Sequence, residues 1–300
     1  DAFTILVAAD TFDLSDAVKQ TDTYEVLDYA HVTAEAGTAC TATVNQAGEA
    51  YILAKAGSET LIRYAEVCNL GRTSSPGPSQ NGLGIDGVNG TNPSEGLTIE
   101  KSRIRKGYFG VYLDNVSNNT GAKGVLSSDI ANHTADGLAL VASSGAATNN
   151  ALTGNRVYGN TDGIWFNAAT GITNNTATSN RSYGNSQDGI SIGDPGSDSN
   201  TFTSNLSYGN VRSGISLDGS NNTFTSNTSF GNGVDGILCW TTTAHRNVFT
   251  SNLLYSNGAA GFQLDGGATN NVLTSNDLYD NGGQGYAALR VVGGSHNNVL

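Results

Sequence analysis

Four aspartates recur before a glycine and an apolar residue, and carboxyl groups in such a series could do chemistry. Asp136, Asp162, Asp188 and Asp235 stand in the phrases DGL, DGI, DGI and DGI, and Ser213 takes the same place once. Neighbouring carboxylates raise each other's pKa, which suits general acid–base catalysis. The four side chains could instead hold Ca²⁺, which takes several oxygen ligands. The simplest interpretation is structural, because Asp before Gly is ordinary turn chemistry.

Two arginines add a cationic element to this series. Arg156 and Arg181 stand in the matching phrases NRVYGN and NRSYGN. With Asp162 and Asp188 they could form a catalytic site for a uronate, since Arg binds carboxylates through paired hydrogen bonds. A lyase or an epimerase needs such neutralisation and a base that removes the proton beside the carboxylate. The alternative is that both arginines pair only with solvent or nearby acids.

Aromatic residues supply candidate sugar contacts. Trp165 and Tyr112 are predicted to point outward from the strands that follow the glycines, and Trp240 comes just after such a strand. Rings of this kind can stack on sugars. We therefore expect Trp165, Tyr112 and Trp240 to bind substrate. His133 is three residues before Asp136 and is interpreted as a hydrogen-bonded corner residue rather than a base.

Composition narrows the class of protein. The formal net charge is −12 with only 14 basic residues, which argues against nucleic acid as a partner. No run approaches the roughly 20 apolar residues that cross a bilayer, so no membrane insertion is expected. Low charge and abundant Gly, Asn and Thr favour an extracellular or cell-surface setting, with the periplasm as an alternative. Three cysteines form no disulfide framework; Cys40 and Cys68 could bridge adjacent repeats, and Cys239 is predicted to be a core thiol.

A repeat organises all of these residues. The glycine after the aspartate position recurs with spacings of 27, 26, 26, 25, 22, 25 and 24 residues. A period of this length is typical of a solenoid. The glycines are Gly110, Gly137, Gly163, Gly189, Gly214, Gly236, Gly261 and Gly285.

Each repeat contains three short extended runs, as in GISI, NTFTSN and SYGN, and shows no helical periodicity. This pattern predicts an all-β fold, a right-handed parallel β-helix with three-strand coils of about 22–27 residues. Equivalent residues then lie above one another at the usual strand spacing of about 4.8 Å. We expect columns of inward apolar residues, ladders of Asn at two corners and one column of aromatic rings.

The two ends of the chain differ from the middle. Residues 97–300 carry the regular repeat, whereas 1–96 are expected to form irregular coils or a cap with a long loop at 73–94, in one continuous domain. The final SHNNVL starts another repeat, so the chain could continue or could associate end to end.

The phrase N-x-[SVL]-Y-G-N-x-x-D-G-I, followed by N-T-F-T-S-N, resembles the right-handed parallel β-helix repeats of polysaccharide lyases, mannuronan epimerases and related secreted proteins. The resemblance implies an extracellular protein that binds and modifies a polysaccharide, in the manner of a lyase or epimerase on an acidic glycan. A glycoside hydrolase would share the fold. The Tyr-Gly-x-Asp-Pro-His phrase of mannuronan epimerases does not occur. The alternative is a non-catalytic structural or adhesive fibre protein.

Overall fold

The chain folds into a solenoid of stacked parallel strands, seen in a computed structural model. The structure describes residues 4–6, 24–26, 31–33, 52–55, 59–68, 70, 82–86, 96–168, 171–283, 285 and 287–300. Within this part of the chain the regular structure is all strand, without a helix, and no helix long and apolar enough to cross a bilayer is found there. The predicted fold class, a right-handed parallel β-helix, is confirmed.

Three parallel sheets form the faces of the solenoid, and each coil contributes one strand to each sheet. Among the described residues, sheet A has eleven strands: Thr4–Leu6, His31–Thr33, Glu66–Cys68, Arg103–Arg105, Asp129–Ala131, Arg156–Tyr158, Arg181–Tyr183, Leu206–Tyr208, Thr228–Phe230, Leu253–Tyr255 and Asp277–Tyr279. Sheet B there has ten: Tyr24–Val26, Glu59–Arg63, Gly96–Glu100, Gly124–Leu126, Ala151–Thr153, Thr176–Thr178, Thr201–Thr203, Thr223–Thr225, Val248–Thr250 and Val272–Thr274. Sheet C also has ten in the described part: Ile52–Lys55, Leu83–Asp86, Val111–Asp114, Leu138–Val141, Ile164–Asn167, Ile190–Ile192, Ile215–Leu217, Ile237–Cys239, Phe262–Leu264 and Leu289–Val291.

The register follows the sequence repeat as far as the coil of Phe262. In the last coil Phe262 pairs with Leu289, so Ala288 takes the place predicted for Gly285. Ile190 pairs with Ile164 on one side and with Ile215 on the other. Both neighbours are completely buried, as is Ile190 itself. The predicted inward column of sheet C is therefore confirmed, and its members are Val111, Leu138, Ile164, Ile190, Ile215, Ile237 and Phe262.

The second core column, on sheet B, is also confirmed. Phe202, Phe224 and Phe249 stack face to face with ring centroids 4.7 and 4.9 Å apart. Ala177 fills the small place predicted below Phe202. No coil could bury these residues alone, so the core is stabilised by stacking between coils.

Asparagine ladders close the corners of the solenoid. At the corner between sheets B and A, Asn205 Oδ1 accepts from the backbone N–H and the side-chain amide of Asn180, both at 3.0 Å. Its own amide donates to the Ala177 carbonyl oxygen at 2.8 Å and to Asn227 Oδ1 at 3.0 Å. Each ladder amide thus satisfies groups in the coils above and below it.

The two predicted asparagine ladders are present, and the structure adds a third that the sequence analysis did not identify. It lies before sheet B and contains Asn119, Asn150, Asn175, Asn200, Asn222, Asn247, Asn271 and Asn298. A fourth sheet of three short strands also occurs before it, formed by Ala147–Thr148, Ile172–Thr173 and Ser197–Asp198. In the next coil the connection from Leu217 to Thr223 is too short to extend this sheet.

The first 96 residues contribute strands to the same sheets. Glu66–Cys68 pairs with Arg103–Arg105 in sheet A, and Glu59–Arg63 pairs with Gly96–Glu100 in sheet B. The segment 73–94, predicted to be one long loop, contains the sheet C strand Leu83–Asp86. The reason is that Leu83 and Ile85 alternate and continue the inward column. Apart from Gly82, the rest of 73–94 lies outside the described residues.

His133 and Cys239 occupy the corner position and the core position that the sequence predicts for them. His133 takes an asparagine-ladder position, where its Nδ1 accepts from Gly107 N–H at 2.9 Å and Asn160 Oδ1 accepts from its backbone N–H. Cys239 is a buried free thiol in register with Leu217, and burial raises its pKa. Cys68 is buried and disulfide-bonded, whereas Cys40 lies outside the described residues.

Candidate functional site

The aspartates that precede sheet C form a ladder of their own. Asp136 Oδ1 accepts from the backbone N–H of Asp162 at 2.9 Å, and Asp162 Oδ1 accepts from that of Asp188 at 2.8 Å. Asp188 and Asp235 do the same for Ser213 and Ala260, both at 2.8 Å. The structural interpretation of these residues thus has direct support. In each carboxyl group one oxygen accepts the backbone N–H of the next coil, and the second oxygen takes no part in that hydrogen bond.

Burial changes the proton affinity of this aspartate ladder. It raises the pKa of Asp136 and of Asp235 to about 6, and that of Asp162 to about 7, where the Asp136 carboxyl adds to the effect. The pKa of Asp188 is also raised by burial. Carboxyl groups with such values exchange protons near neutral pH, which is what general acid–base catalysis requires.

An aromatic cluster lies on the outer face of sheet C beside the first aspartates. The Phe109 and Tyr112 rings meet edge to face at 4.9 Å, and the Phe109 and Trp165 rings lie nearly parallel at 6.4 Å. Ala139 and Val141 are buried among them. Tyr112 and Trp165, both predicted to contact sugar, therefore belong to one cluster, in which Tyr112 is buried and Trp165 is partly buried.

The Tyr112 phenol is electrostatically linked to the aspartate ladder. Its pKa is raised above the usual range for tyrosine, first by burial and then by the Asp114 and Asp136 carboxylates. Tyr112 therefore stays protonated at neutral pH. A neutral phenol close to a carboxyl group can donate a hydrogen bond to a ligand or transfer a proton with it.

The structure places the two predicted arginines on a different face. Arg156 and Arg181 are paired neighbours in sheet A and both point to solvent. Arg156 forms a two-bond ion pair with Asp129 of the preceding coil. Neither arginine is brought together with Trp165, which belongs to sheet C.

A third arginine approaches the aspartate ladder instead. Arg212 lies close enough to Asp162 and Asp188 to lower the pKa of both, against the stronger effect of burial. Its guanidinium also donates to Gln187 Oε1 at 3.2 Å. The sequence signal for this role was the position of Arg212 directly before the Ser213 that replaces an aspartate.

Trp240 lies farther along the solenoid than the aromatic cluster. It follows the strand Ile237–Cys239, three coils after the strand that carries Trp165, and is 48% exposed. The structure therefore does not bring Trp240 together with Tyr112. Phe109, which joins Tyr112 and Trp165, was missed because it lies in a turn before the strand.

The aspartates of the ladder do not form a compact cluster in the described part of the chain. Within the described ranges, no group of three or more His, Cys, Asp or Glu side chains is placed to hold a metal ion. Asp136, Asp162, Asp188 and Asp235 are strung along the solenoid axis, each with one oxygen bound to backbone. A Ca²⁺ ion on this ladder stays a prediction.

Solved structures with a similar architecture include an alginate epimerase and a tailspike protein. A double mutant of the periplasmic alginate epimerase AlgG matches with a TM-score of 0.72 and 17% identity, over 91% of this chain and 68% of that chain. The Dettilon tailspike protein matches with a TM-score of 0.55 and 19% identity, over 97% of this chain and 61% of that chain. At such identities the likeness shows the fold alone.

Sequence comparison reaches the same fold independently. No curated protein matches the chain in sequence. The family described as "Right handed beta helix region" matches residues 81–247 and, in a second overlapping match, residues 185–300. These matches span well over half of the chain and coincide with its stacked coils, so the chain belongs to the right-handed β-helix family.

Proposed function

We propose that the protein binds a polysaccharide along the outer face of sheet C and modifies it by proton transfer, as a lyase or epimerase of an acidic glycan. The observation that carries the proposal is the contact surface of Phe109, Tyr112 and Trp165 beside carboxyl groups whose pKa values are raised to between about 6 and about 7. Aromatic surface binds sugar rings, and tunable carboxyl groups move protons. The likeness in fold to the alginate epimerase AlgG agrees with a polysaccharide ligand.

The residues take distinct parts in this scheme. Trp165 and Tyr112 hold a sugar against the sheet, and Arg212 pairs with its carboxylate. Asp162 has a pKa of about 7, so a large fraction is ionised at neutral pH and can act as a base. Asp188 assists it as the next carboxyl of the ladder. Arg156 and Arg181 can contribute only to a glycan that extends around to sheet A.

The chemical step is a proton abstraction. The ionised Asp162 takes the proton from the carbon beside the uronate carboxylate, and the electron pair is delocalised into that carboxylate. In a lyase the pair then forms a carbon–carbon double bond as the bond to the neighbouring glycosidic oxygen breaks, and that oxygen takes a proton. In an epimerase a proton returns to the same carbon from the opposite face, with the Tyr112 phenol as a donor.

A non-catalytic structural or adhesive role is the second candidate. The observation in its favour is that every aspartate of the ladder accepts a backbone N–H from the next coil, as a purely structural residue would. In either case we place the protein outside the cytoplasm, at the cell surface or in the periplasm. Ca²⁺ on the aspartates and end-to-end association remain parts of the proposal to be tested.

The test is a screen of polymannuronate, polyguluronate and polygalacturonate, with and without Ca²⁺. Ultraviolet absorbance detects the unsaturated ends that a lyase makes, and exchange of solvent deuterium into the polymer detects an epimerase. We expect product from one uronate polymer and its loss in Asp162→Asn. No product from any polymer overturns the enzymatic proposal.

Binding is measured separately so that the second candidate can be recognised. Affinity electrophoresis through the same polymers should show retardation of the wild type and weaker retardation of Trp165→Ala. The matched control is Thr225→Ala, on the outer face of sheet B. Binding without product in any assay favours the adhesive role, and equal retardation of Trp165→Ala and Thr225→Ala contradicts the proposed sugar-contact surface.

A further inference from the structure

The outer face of sheet A carries a column of aromatic side chains that the proposed glycan site does not use. Successive rings lie parallel, with centroids between 4.8 and 5.1 Å apart, and the column consists of Tyr158, Tyr183, Tyr208, Phe230, Tyr255 and Tyr279. Stacking of this kind covers both faces of each inner ring and leaves the ring edges at the surface. A sugar therefore finds few ring faces to stack on there, whereas a second flat surface can pack against the edges.

Apolar side chains extend this surface in the middle coils of the column. Leu206 and Leu253 lie on the same face as the rings, one in the coil before Phe230 and one in the coil after it, and both are partly exposed. A contiguous exposed apolar patch marks an interaction surface more often than a bare exterior. We call the outward residues of five successive strands, from Arg181–Tyr183 to Asp277–Tyr279, the sheet A face.

Charged residues stand at the two ends of the sheet A face. Arg181 is exposed at one end, and Asp277 is exposed at the other. Both belong to one outward column, two coils before and two coils after Thr228. Within the described ranges neither residue forms a salt bridge, whereas Arg156 is paired with Asp129. The face therefore presents one unpaired cation and one unpaired anion at equal distances from its centre.

This arrangement is complementary to itself. A two-fold axis that is parallel to the strands and passes over Thr228 reverses the solenoid axis of a second copy and places each column opposite its own copy. Arg181 of each copy then lies opposite Asp277 of the other, and Leu206 lies opposite Leu253. A two-fold axis along the solenoid instead places Arg181 opposite the aromatic column and pairs no charges.

The charges also select one register of the two copies. A shift by one coil places either Arg181 opposite Leu253 or Asp277 opposite Leu206, and a charge held against apolar surface loses hydration without gaining a partner. With the axis at Thr228, Phe230 lies opposite its own copy. Phe230 is the one ring of the column without a phenol hydroxyl. Two apolar ring edges therefore meet at the axis, rather than two identical hydroxyls.

We propose that two copies of this chain associate through the sheet A face as an antiparallel dimer, with an Arg181–Asp277 pair at each end and leucine and aromatic side chains between them. Five coils by five residues measure about 24 Å by about 17 Å, so the dimer buries about 800 Å² in total. This area is typical of weak, transient complexes, and we expect a Kd of about 10–100 µM.

The dimer is independent of the proposed function, because the outer face of sheet C stays open in it. It also differs from end-to-end association of the solenoids. An end-to-end contact joins two different surfaces and continues into longer polymers, whereas the two-fold contact of the sheet A face closes at two copies.

The experiment is sedimentation velocity of the full chain between about 5 and about 200 µM, which brackets the expected Kd. Two test variants each reverse one charge, Arg181→Asp and Asp277→Arg, and a third variant carries both changes. The matched control is Arg246→Asp, which reverses an exposed arginine before the sheet B strand Val248–Thr250.

We expect the wild type and Arg246→Asp to dimerise alike and each single reversal at sheet A to weaken the dimer at least about tenfold, because it sets like charges opposite one another twice. The double variant restores both pairs with opposite polarity and should return to within about threefold of the wild type. Such a rescue also shows that the single variants are folded.

Three results overturn the proposal. The first is a wild type that stays monomeric over the whole range or forms longer polymers. The second is a dimer whose Kd is the same in the single reversals as in Arg246→Asp. The third is a monomeric wild type whose retardation by a uronate polymer is weakened in Phe230→Ser, since the sheet A face then binds glycan instead of a second copy.

Discussion

Two ladders that do the same structural work differ in the charge of their side chains. At the corner between sheets B and A, Asn205 Oδ1 accepts the N–H of Asn180 at 3.0 Å. At the turn between sheets A and C, Asp162 Oδ1 accepts the N–H of Asp188 at 2.8 Å. The asparagine also donates two hydrogen bonds, which an ionised carboxylate is unable to do.

The difference indicates that aspartate is not what the fold itself favours. Ser213 and Ala260 interrupt the aspartate ladder without interrupting the strands that follow them. Burial raises the pKa of the remaining aspartates, so their ionised forms destabilise the folded state. This cost is consistent with the chemistry that we propose for sheet C, in addition to the stacking bonds that the carboxyl groups make.

The largest effect is expected when the charged residue is moved into the asparagine ladder. Asn205→Asp removes the donor to the Ala177 carbonyl oxygen and to Asn227 Oδ1 and introduces a buried carboxylate. We expect the free energy of unfolding at pH 7.5 to fall by about 3–5 kcal/mol. Chemical denaturation measures it, with Thr203→Ser on the outer face as control. A loss no greater than that of the control would show that the ladder amides do not stabilise the solenoid.

The reverse exchange should stabilise the protein in a defined pH range. Asp235 has a pKa of about 6, raised by burial, so the stability that its protonated form contributes is lost as pH rises through about 6. In Asp235→Asn the amide oxygen still accepts from Ala260 N–H, and nothing ionises. We expect a gain of about 1–3 kcal/mol at pH 7.5 that shrinks toward zero near pH 4.

Chemical denaturation of the wild type and of Asp235→Asn at pH 7.5 and at pH 4 measures this difference in unfolding free energy. A variant less stable than the wild type at pH 7.5 would mean that the carboxylate is well solvated or paired in the folded protein. The neighbouring charge of Arg290 acts in that direction but is the weaker influence on Asp235.

A smaller effect tests the one histidine of the second asparagine ladder. Burial lowers the pKa of His133 to about 4, so stability is lost as pH falls from the ordinary histidine range through about 4. His133→Asn restores the ladder residue, whose oxygen and amide can replace the ring in its bonds to Gly107 and Ile104. Relative to wild type, we expect the variant to gain about 1–2 kcal/mol at pH 4.5 and little at pH 7.5. The melting temperatures of the variant and the wild type are measured at the two pH values. An equal difference in melting temperature at both values would contradict the predicted role of the His133 pKa.

The sequence predicted the fold more fully than the site, for a physical reason. Stacking repeats the same requirement in every coil, so Ile190 and Ile215 could be paired from their spacing alone. The third ladder was equally visible in Asn200 and Asn222 but was not separated from the neighbouring serine and threonine pattern. The residues that stack on one another in a column can be found from the number of residues between equivalent positions in successive coils.

The site depends on residues in turns. The path of a turn does not follow from the number of residues between equivalent positions in successive coils. Arg181 and Asp188 are seven residues apart in sequence, yet Arg181 lies in a sheet A strand and Asp188 lies in the turn before sheet C. Arg212 reaches the aspartates because it lies within the turn itself. Phe109 likewise joins the aromatic cluster from a turn. Side-chain direction in such segments follows from local backbone angles rather than from the repeat.

The central proposal is that the carboxyl groups before sheet C serve chemistry in addition to accepting a backbone N–H from the next coil. The most direct measurement compares Asp162→Asn with wild type in unfolding free energy at pH 7.5 and in product formation from the uronate polymer that the wild type modifies. We expect the variant to be at least as stable as the wild type and to have lost product formation by about a hundredfold or more. A variant that keeps its activity, or one that unfolds because the aspartate is needed for stacking, would contradict the claim.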